Sequence, residues 1–163
     1  MTIKRYAGDK ITGVAGDSKP TTIADGATFY ETDTLKTYMK ISGTWTLMSS
    51  AYGSIEFIVD GGGATITTGV KGDIEVPFAC TVTTARMFAD QSGSITVSIW
   101  KDTYANFPPV VGDLMDTYIL TTTTKYEETG LALTIAAGSV LRFNVDSATT
   151  IQRCTVSLTI KKT

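Results

Sequence analysis

Three features of the sequence predict an all-β protein: a small β-meander followed by an antiparallel two-sheet β-sandwich of jelly-roll or immunoglobulin-like kind. The first is composition. Of 163 residues, 30 are threonine and 15 are glycine, with only 4 prolines to interrupt, so strand-favouring and turn-forming residues dominate. The second is a period of two, cleanest in residues 95–99 and 154–160, where apolar and hydroxyl side chains alternate. The third is the regular recurrence of turn-forming clusters with no sustained helical period. Residues 108–116 hold at most one short helical turn.

The chain divides near Ser49-Ser50-Ala51-Tyr52-Gly53, a run of small residues between two differently built parts. Residues 1–50 are read as a docking or oligomerisation meander and residues 51–163 as the sandwich. The first part opens with residues 3–12 and passes through a Gly/Asp/Ser/Pro stretch, 13–20. Three short runs follow, 27–32, 37–41 and 45–48, joined by polar connections of hairpin length, which predicts an antiparallel meander. Alternation puts Thr28, Tyr30 and Thr32 on one face and Phe29 and Glu31 on the other; Tyr38 opposes Met39, and Trp45 is in phase with Leu47. Both faces therefore carry large apolar groups. About fifty residues bury little surface, so the meander is expected to dock on the rest of its own chain, on identical chains or on a larger assembly. Phe29, Tyr30, Tyr38 and Trp45 are its expected interface.

In the second part, 54–59 reads as a strand before the turn Asp60-Gly61-Gly62-Gly63. Residues 74–82 alternate Ile74, Val76, Phe78, Cys80 and Val82 toward one face. Pro77 makes that run an edge strand or breaks it at a bulge. Residues 131–135, the turn 136–139 and residues 140–145 read as a hairpin with Leu141, Phe143 and Val145 inward. The total is seven or eight strands, enough for a two-sheet sandwich.

The chemistry open to such a chain is narrow. With 14 basic against 16 acidic side chains and a net charge of -2, no basic stripe exists for phosphate-driven binding, and no nucleic-acid partner is expected. No apolar segment of export or membrane-spanning length occurs, so neither export nor a membrane partner is expected. In a reducing compartment Cys80 and Cys154 are then expected to be two buried free thiols rather than the alternative, a disulfide. The absence of histidine removes Ser-His-Asp and Cys-His catalysis and imidazole-based zinc sites. Glu127 and Glu128, adjacent and opposite-facing if extended, read as solvated loop charges and not as a glycosidase pair. Asp60, Asp73, Asp90, Asp102 and Asp113 read as turn caps rather than a calcium cluster. No catalytic residue, metal or cofactor is expected. Trp100, Tyr104 and Phe107, where a strand runs into a proline-closed loop, either cap one end of the core or form an outer binding loop for a sugar or protein.

Both parts resemble modules of tailed-bacteriophage virion proteins. The first is similar to a short module near the N-termini of head-fibre, tail-fibre and minor structural proteins. The matching residues are Asp17 through Thr21, Gly26-Ala27-Thr28-Phe29-Tyr30-Glu31-Thr32-Asp33-Thr34, Lys36-Thr37-Tyr38 and Gly43-Thr44-Trp45. Leu35 stands where that family usually has glycine, so a loop wider than a two-residue turn is expected there. The second part resembles a phage domain through Asp60-Gly61-Gly62-Gly63, Thr68 through Asp73, Val76-Pro77-Phe78, Asp90 through Ile95, Ile99 through Pro109, and Ala136 through Ser147, and departs from it over 111–130. The resemblance implies a non-enzymatic virion structural protein, made in the host cytoplasm, with phage capsid or tail proteins as partners. A capsid decoration or head-fibre protein anchored by its N-terminal region is the first expectation. A tail-fibre or tail-tip protein contacting a host surface glycan is the second, and a depolymerase using two unassigned carboxylates the third. A homo-oligomer, most often a trimer, is usual for such fibres, although no heptad or collagen repeat demands one.

Overall fold

The small-residue break separates two compact units, residues 1–50 and 51–163. The computed structural model describes residues 4–6, 9–34, 36–48 and 52–162; Ser49, Ser50 and Ala51 of the expected linker lie outside them, as does Leu35.

Unit 1 is a five-stranded sheet in sequence order: β1 (Lys4–Tyr6), β2 (Lys10–Gly13), β3 (Thr28–Glu31), β4 (Thr37–Ile41) and β5 (Thr44–Leu47). β3, β4 and β5 form the antiparallel meander that their spacing predicts. Ser42 and Gly43, both at positive φ (50° and 77°), make the tight turn that matches the right-handed twist of the flanking strands. The Glu31 amide donates to the Lys36 carbonyl across a wider loop. The opening residues carry an antiparallel pair, β1 and β2, and β2 then pairs parallel with β3. Parallel neighbours need a long crossover, which residues 14–27 supply.

Unit 2 is built from β6 (Tyr52–Asp60), β7 (Gly69–Val76), β8 (Cys80–Thr103), β9 (Leu114–Ile135), β10 (Ser139–Thr149) and β11 (Arg153–Lys162), all antiparallel. β8 and β9 are each long enough to serve two sheets. Residues 80–89 of β8 pair with β11 and residues 94–103 with β10, while β9 follows β8 along both halves. The four-stranded layers are thus β6, β11, the first half of β8 and the second half of β9; and β7, β10, the second half of β8 and the first half of β9. Each segment pairs with its mirror image in sequence, so the unit is one long hairpin rolled on itself. That is the jelly-roll order. The bend falls at Gly93, where an added Cβ would lie 2.5 Å from the Thr149 carbonyl.

The core fills the space between layers. Ile55 and Val59 of β6, Leu141, Phe143 and Val145 of β10, and Cys154, Val156, Leu158 and Ile160 of β11 are all buried, and Phe57 stacks on Phe143 with centroids 4.3 Å apart. Two sequence expectations change. Residues 74–82 are two strands, because Pro77 ends β7 and the chain crosses to the other layer before β8; β7 is an edge strand, as proline predicts. Residues 131–145 are likewise not a hairpin: β9 ends in one layer and β10 begins in the other, with Gly138 at φ 76° in the crossing turn. Cys80 and Cys154 are buried free thiols at opposite ends of the β8–β11 ladder, too far apart to bridge.

Candidate functional site

Three places carry the polar and aromatic groups available for function. In unit 1 the crossover loop folds over one sheet face and ties itself down by backbone carbonyls and lysines. Trp45 Nε1 donates to the Pro20 carbonyl at 2.9 Å, and Lys40 Nζ donates to the Thr21 carbonyl at 2.8 Å. Lys19 Nζ pairs with Glu31 Oε1 at 2.7 Å and lies 4.1 Å above the Tyr38 ring. Lys19 first, then the Thr34 hydroxyl, hold the Glu31 carboxyl below the usual glutamate range against its burial. Phe29 is fully buried beneath this strap, with Trp45 edge-on to it at 6.0 Å.

The expected interface therefore divides. Phe29 cannot meet a partner, because the crossover gives the small sheet an interior of its own. Tyr38 and Trp45 lie half-buried on that same strapped face. Tyr30 points to the other face, 37% exposed, with Met39 and with Ile41 at 44%, among Thr12, Thr28, Thr37 and Thr46.

The second place is the tip of the rolled hairpin, between β8 and β9. Tyr104 is 73% and Phe107 51% exposed, so these two rings do not cap the core. Arg142 fixes the loop. It binds Asp73 through two hydrogen bonds of 2.7 and 2.9 Å, donates to the Pro109 carbonyl and lies 5.3 Å from the Phe107 ring centroid. Asp73 is thus half of an ion pair and not a turn cap, whereas Asp60, Asp90, Asp102 and Asp113 do accept from nearby backbone amides. Trp100 stays half-buried, its indole N–H enclosed without a partner.

The third place escaped the sequence reading. Both halves of β9 form the free edge of their layer, and both turn acids inward: Asp116 opposes Ile99 and Glu128 opposes Ala85, each a core residue. Tyr118 and Tyr126 share these inward rows, their rings 6.4 Å apart. The Tyr126 hydroxyl donates to Glu128 Oε2 at 2.7 Å. Tyr118 is fully buried with its hydroxyl beside the Asp116 carboxylate, which itself accepts from the Thr117 amide at 2.8 Å. Burial first, then the neighbouring carboxylates, push both phenols upward, Tyr126 to about 12. Glu127 and Glu128 do face opposite ways, but on a strand and not in a loop: Glu127 faces out and pairs with Arg86 at 2.5 Å.

Among the described residues no three acidic or cysteine side chains gather as a metal set, and no helix is long and apolar enough to cross a membrane. The geometry defines an all-β protein with a jelly roll as its larger unit. No family model matches the sequence, and no curated protein does. Among solved structures, the Drosophila melanogaster CENP-C cupin domain is 8% identical with a TM-score of 0.26, covering 90% of this chain and 84% of that one. A chain of infectious bursal disease virus, Gx strain, is 9% identical with a TM-score of 0.26, covering 78% of this chain and 43% of that one. Likeness this distant carries no argument about function.

Proposed function

We propose that this chain is a non-enzymatic structural protein of a tailed-bacteriophage particle, a capsid decoration or head-fibre protein that docks through unit 1 and displays the jelly roll. The observation that carries the reading is the free face of the first sheet. Its opposite face is covered over Phe29 by its own crossover loop, yet Tyr30 and Ile41 remain exposed, with Met39 half-buried beside them, on a unit with few buried apolar residues among those described. A flat, threonine-rich strand surface with one tyrosine anchor suits a protein contact. The phage assignment rests on the resemblance of residues 17–45 and of the second unit. Capsid proteins are its partners, and a trimer is the assembly usual for such fibres.

The test is Tyr30→Asp. A charge buried at a packed contact costs several kcal/mol, so the variant should fail to co-sediment with heads that lack the protein, while its circular dichroism matches that of the parent. Full binding by the variant would show that another surface docks.

One observation favours a second reading, a tail-fibre or tail-tip protein contacting a host glycan: Tyr104 and Phe107 are exposed at the hairpin tip. Antibody-labelled virions separate the two. Dense label over the head supports decoration, and label confined to the tail rejects it in favour of the receptor reading.

A further inference from the structure

A hollow of about 290 Å³ opens on the outer face of the jelly roll, where the second half of β9 closes its layer, lined by Arg86, Phe88, Lys125, Tyr126 and Glu127. Its size lies near the lower limit of small-molecule sites. Strand pairing assembles it: Arg86 opposes Glu127 and Phe88 opposes Lys125 across the β8–β9 ladder, while Ser157 and Thr155 of β11 oppose Arg86 and Phe88 on the same face. Glu127 accepts from Arg86 Nε at 2.8 Å and Nη2 at 2.5 Å on Oε1 alone, which leaves Oε2 to accept from another donor. Lys125 has no ion pair or hydrogen bond among the described residues. The hollow thus holds one uncompensated positive charge on a chain whose net charge is -2. The Phe88 ring is 49% exposed. Lysines cover the rings of Tyr38, Trp45 and Phe78, yet no cation lies over Phe88 among the described residues, although Lys125 stands opposite it.

We propose that this hollow binds an acidic sugar, a pyranose that carries a carboxylate. The apolar C–H face of the sugar stacks on Phe88, its carboxylate meets Lys125, and a ring hydroxyl donates to Glu127 Oε2. Arg86, held by Glu127 Oε1, is the second cation at the rim. Three groups thus answer three properties of one ligand class: a flat apolar face, a negative charge and hydroxyl donors. A neutral sugar leaves Lys125 unused. A polyphosphate is repelled by Glu127 and finds too little positive charge. An acidic side chain of a peptide offers neither the flat face nor the hydroxyl. The hollow lies in the other layer from the hairpin tip, so it adds a second sugar-contacting surface that stands or falls separately from Tyr104 and Phe107. The plainer account, a solvated strand face on which Phe88 and Lys125 merely point to water, predicts no saturable ligand.

Isothermal titration of the full chain at about 0.15 M salt, where loose charge attraction is screened, tests the site. The probes are oligomers of galacturonate, of glucuronate and of sialic acid, each beside its uncharged methyl ester. At least one acid is expected to bind saturably, and its ester at least tenfold more weakly. Lys125→Met and Phe88→Ser should each lower affinity at least tenfold with unchanged circular dichroism, and Tyr104→Ala should leave it unaltered. Absence of binding by all three acids overturns the proposal, as does equal affinity for acid and ester or binding that survives both variants. Loss of binding in Tyr104→Ala alone would place the sugar at the hairpin tip instead. Equal competition by polyglutamate would reduce the site to simple charge attraction and reject the sugar.

Discussion

The two units solve the same problem, covering a sheet, with different materials. In the jelly roll, apolar rows from two layers meet face to face, and β6 through β11 all contribute to one continuous core. In unit 1 the only buried apolar residues described are Ile11, Ala27 and Phe29, and two charged residues, Glu31 and Lys40, are buried beside them. Its second layer is not a sheet but a loop, held by an ion pair, two side-chain bonds to backbone carbonyls and lysine stems over aromatic rings. Stability in the larger unit should therefore follow apolar volume, and in the smaller one charge and pH.

The largest effect is expected in the jelly roll. Phe143→Ala removes a buried ring stacked on Phe57 and is expected to cost about 3–5 kcal/mol. The check is denaturant unfolding followed by far-ultraviolet circular dichroism. A cost below 1 kcal/mol would mean that the layers are not packed as a core.

The strap of unit 1 should give the next largest effect. Lys19→Ala leaves Glu31 buried with only neutral hydroxyl partners, Thr34 and Tyr38, and is expected to cost about 2 kcal/mol. Replacing both partners by apolar residues, Lys19→Met with Glu31→Leu, should restore most of that loss, because the cost lies in the unpaired charge. The pH dependence has a fixed sign. The folded Glu31 carboxyl titrates below its ordinary 4.5, so its contribution is complete above that pH and is lost as pH falls through the lower folded value. Trp45 fluorescence in a Trp100→Phe background reports this unit alone, since the chain has 2 tryptophans. Acid sensitivity that persists in the apolar pair would assign it to other carboxylates.

Strand content and face assignment were legible because alternation fixes them: Phe29 and Glu31 against Tyr30, or Leu141, Phe143 and Val145 inward, follow from parity alone. What was not legible was which layer each strand joins. Residues 131–145 have the pattern of a hairpin whether the turn returns to the same sheet or crosses to the other, since both put the same residues in the core. The strap was hidden for another reason. Its acceptors are the backbone carbonyls of Pro20 and Thr21, and no side-chain pattern announces which carbonyl a loop will present. The β9 cluster combines both difficulties. The threonine run 121–124 has no periodicity, so it conceals the corner that brings Asp116 and Tyr118 of one half opposite Tyr126 and Glu128 of the other. Once β9 is known to serve both layers, its acids at even positions fall on the inward rows.

The smallest effect belongs to the outer face of the same strand and shows that burial, not charge itself, sets the cost of breaking a pair. Arg86 and Glu127 form an ion pair as close as any among the described residues, yet the two side chains are 44% and 50% exposed. Water screens the attraction and solvates either partner when the other is removed, so nothing is left stranded. Glu127→Ala is expected to change stability by less than about 0.5 kcal/mol, measured as the denaturant midpoint at low and at 1 M salt. A loss comparable to that of Lys19→Ala would mean that the outer face of β9 is covered in solution, and would move the search for a partner surface from the first sheet to the jelly roll.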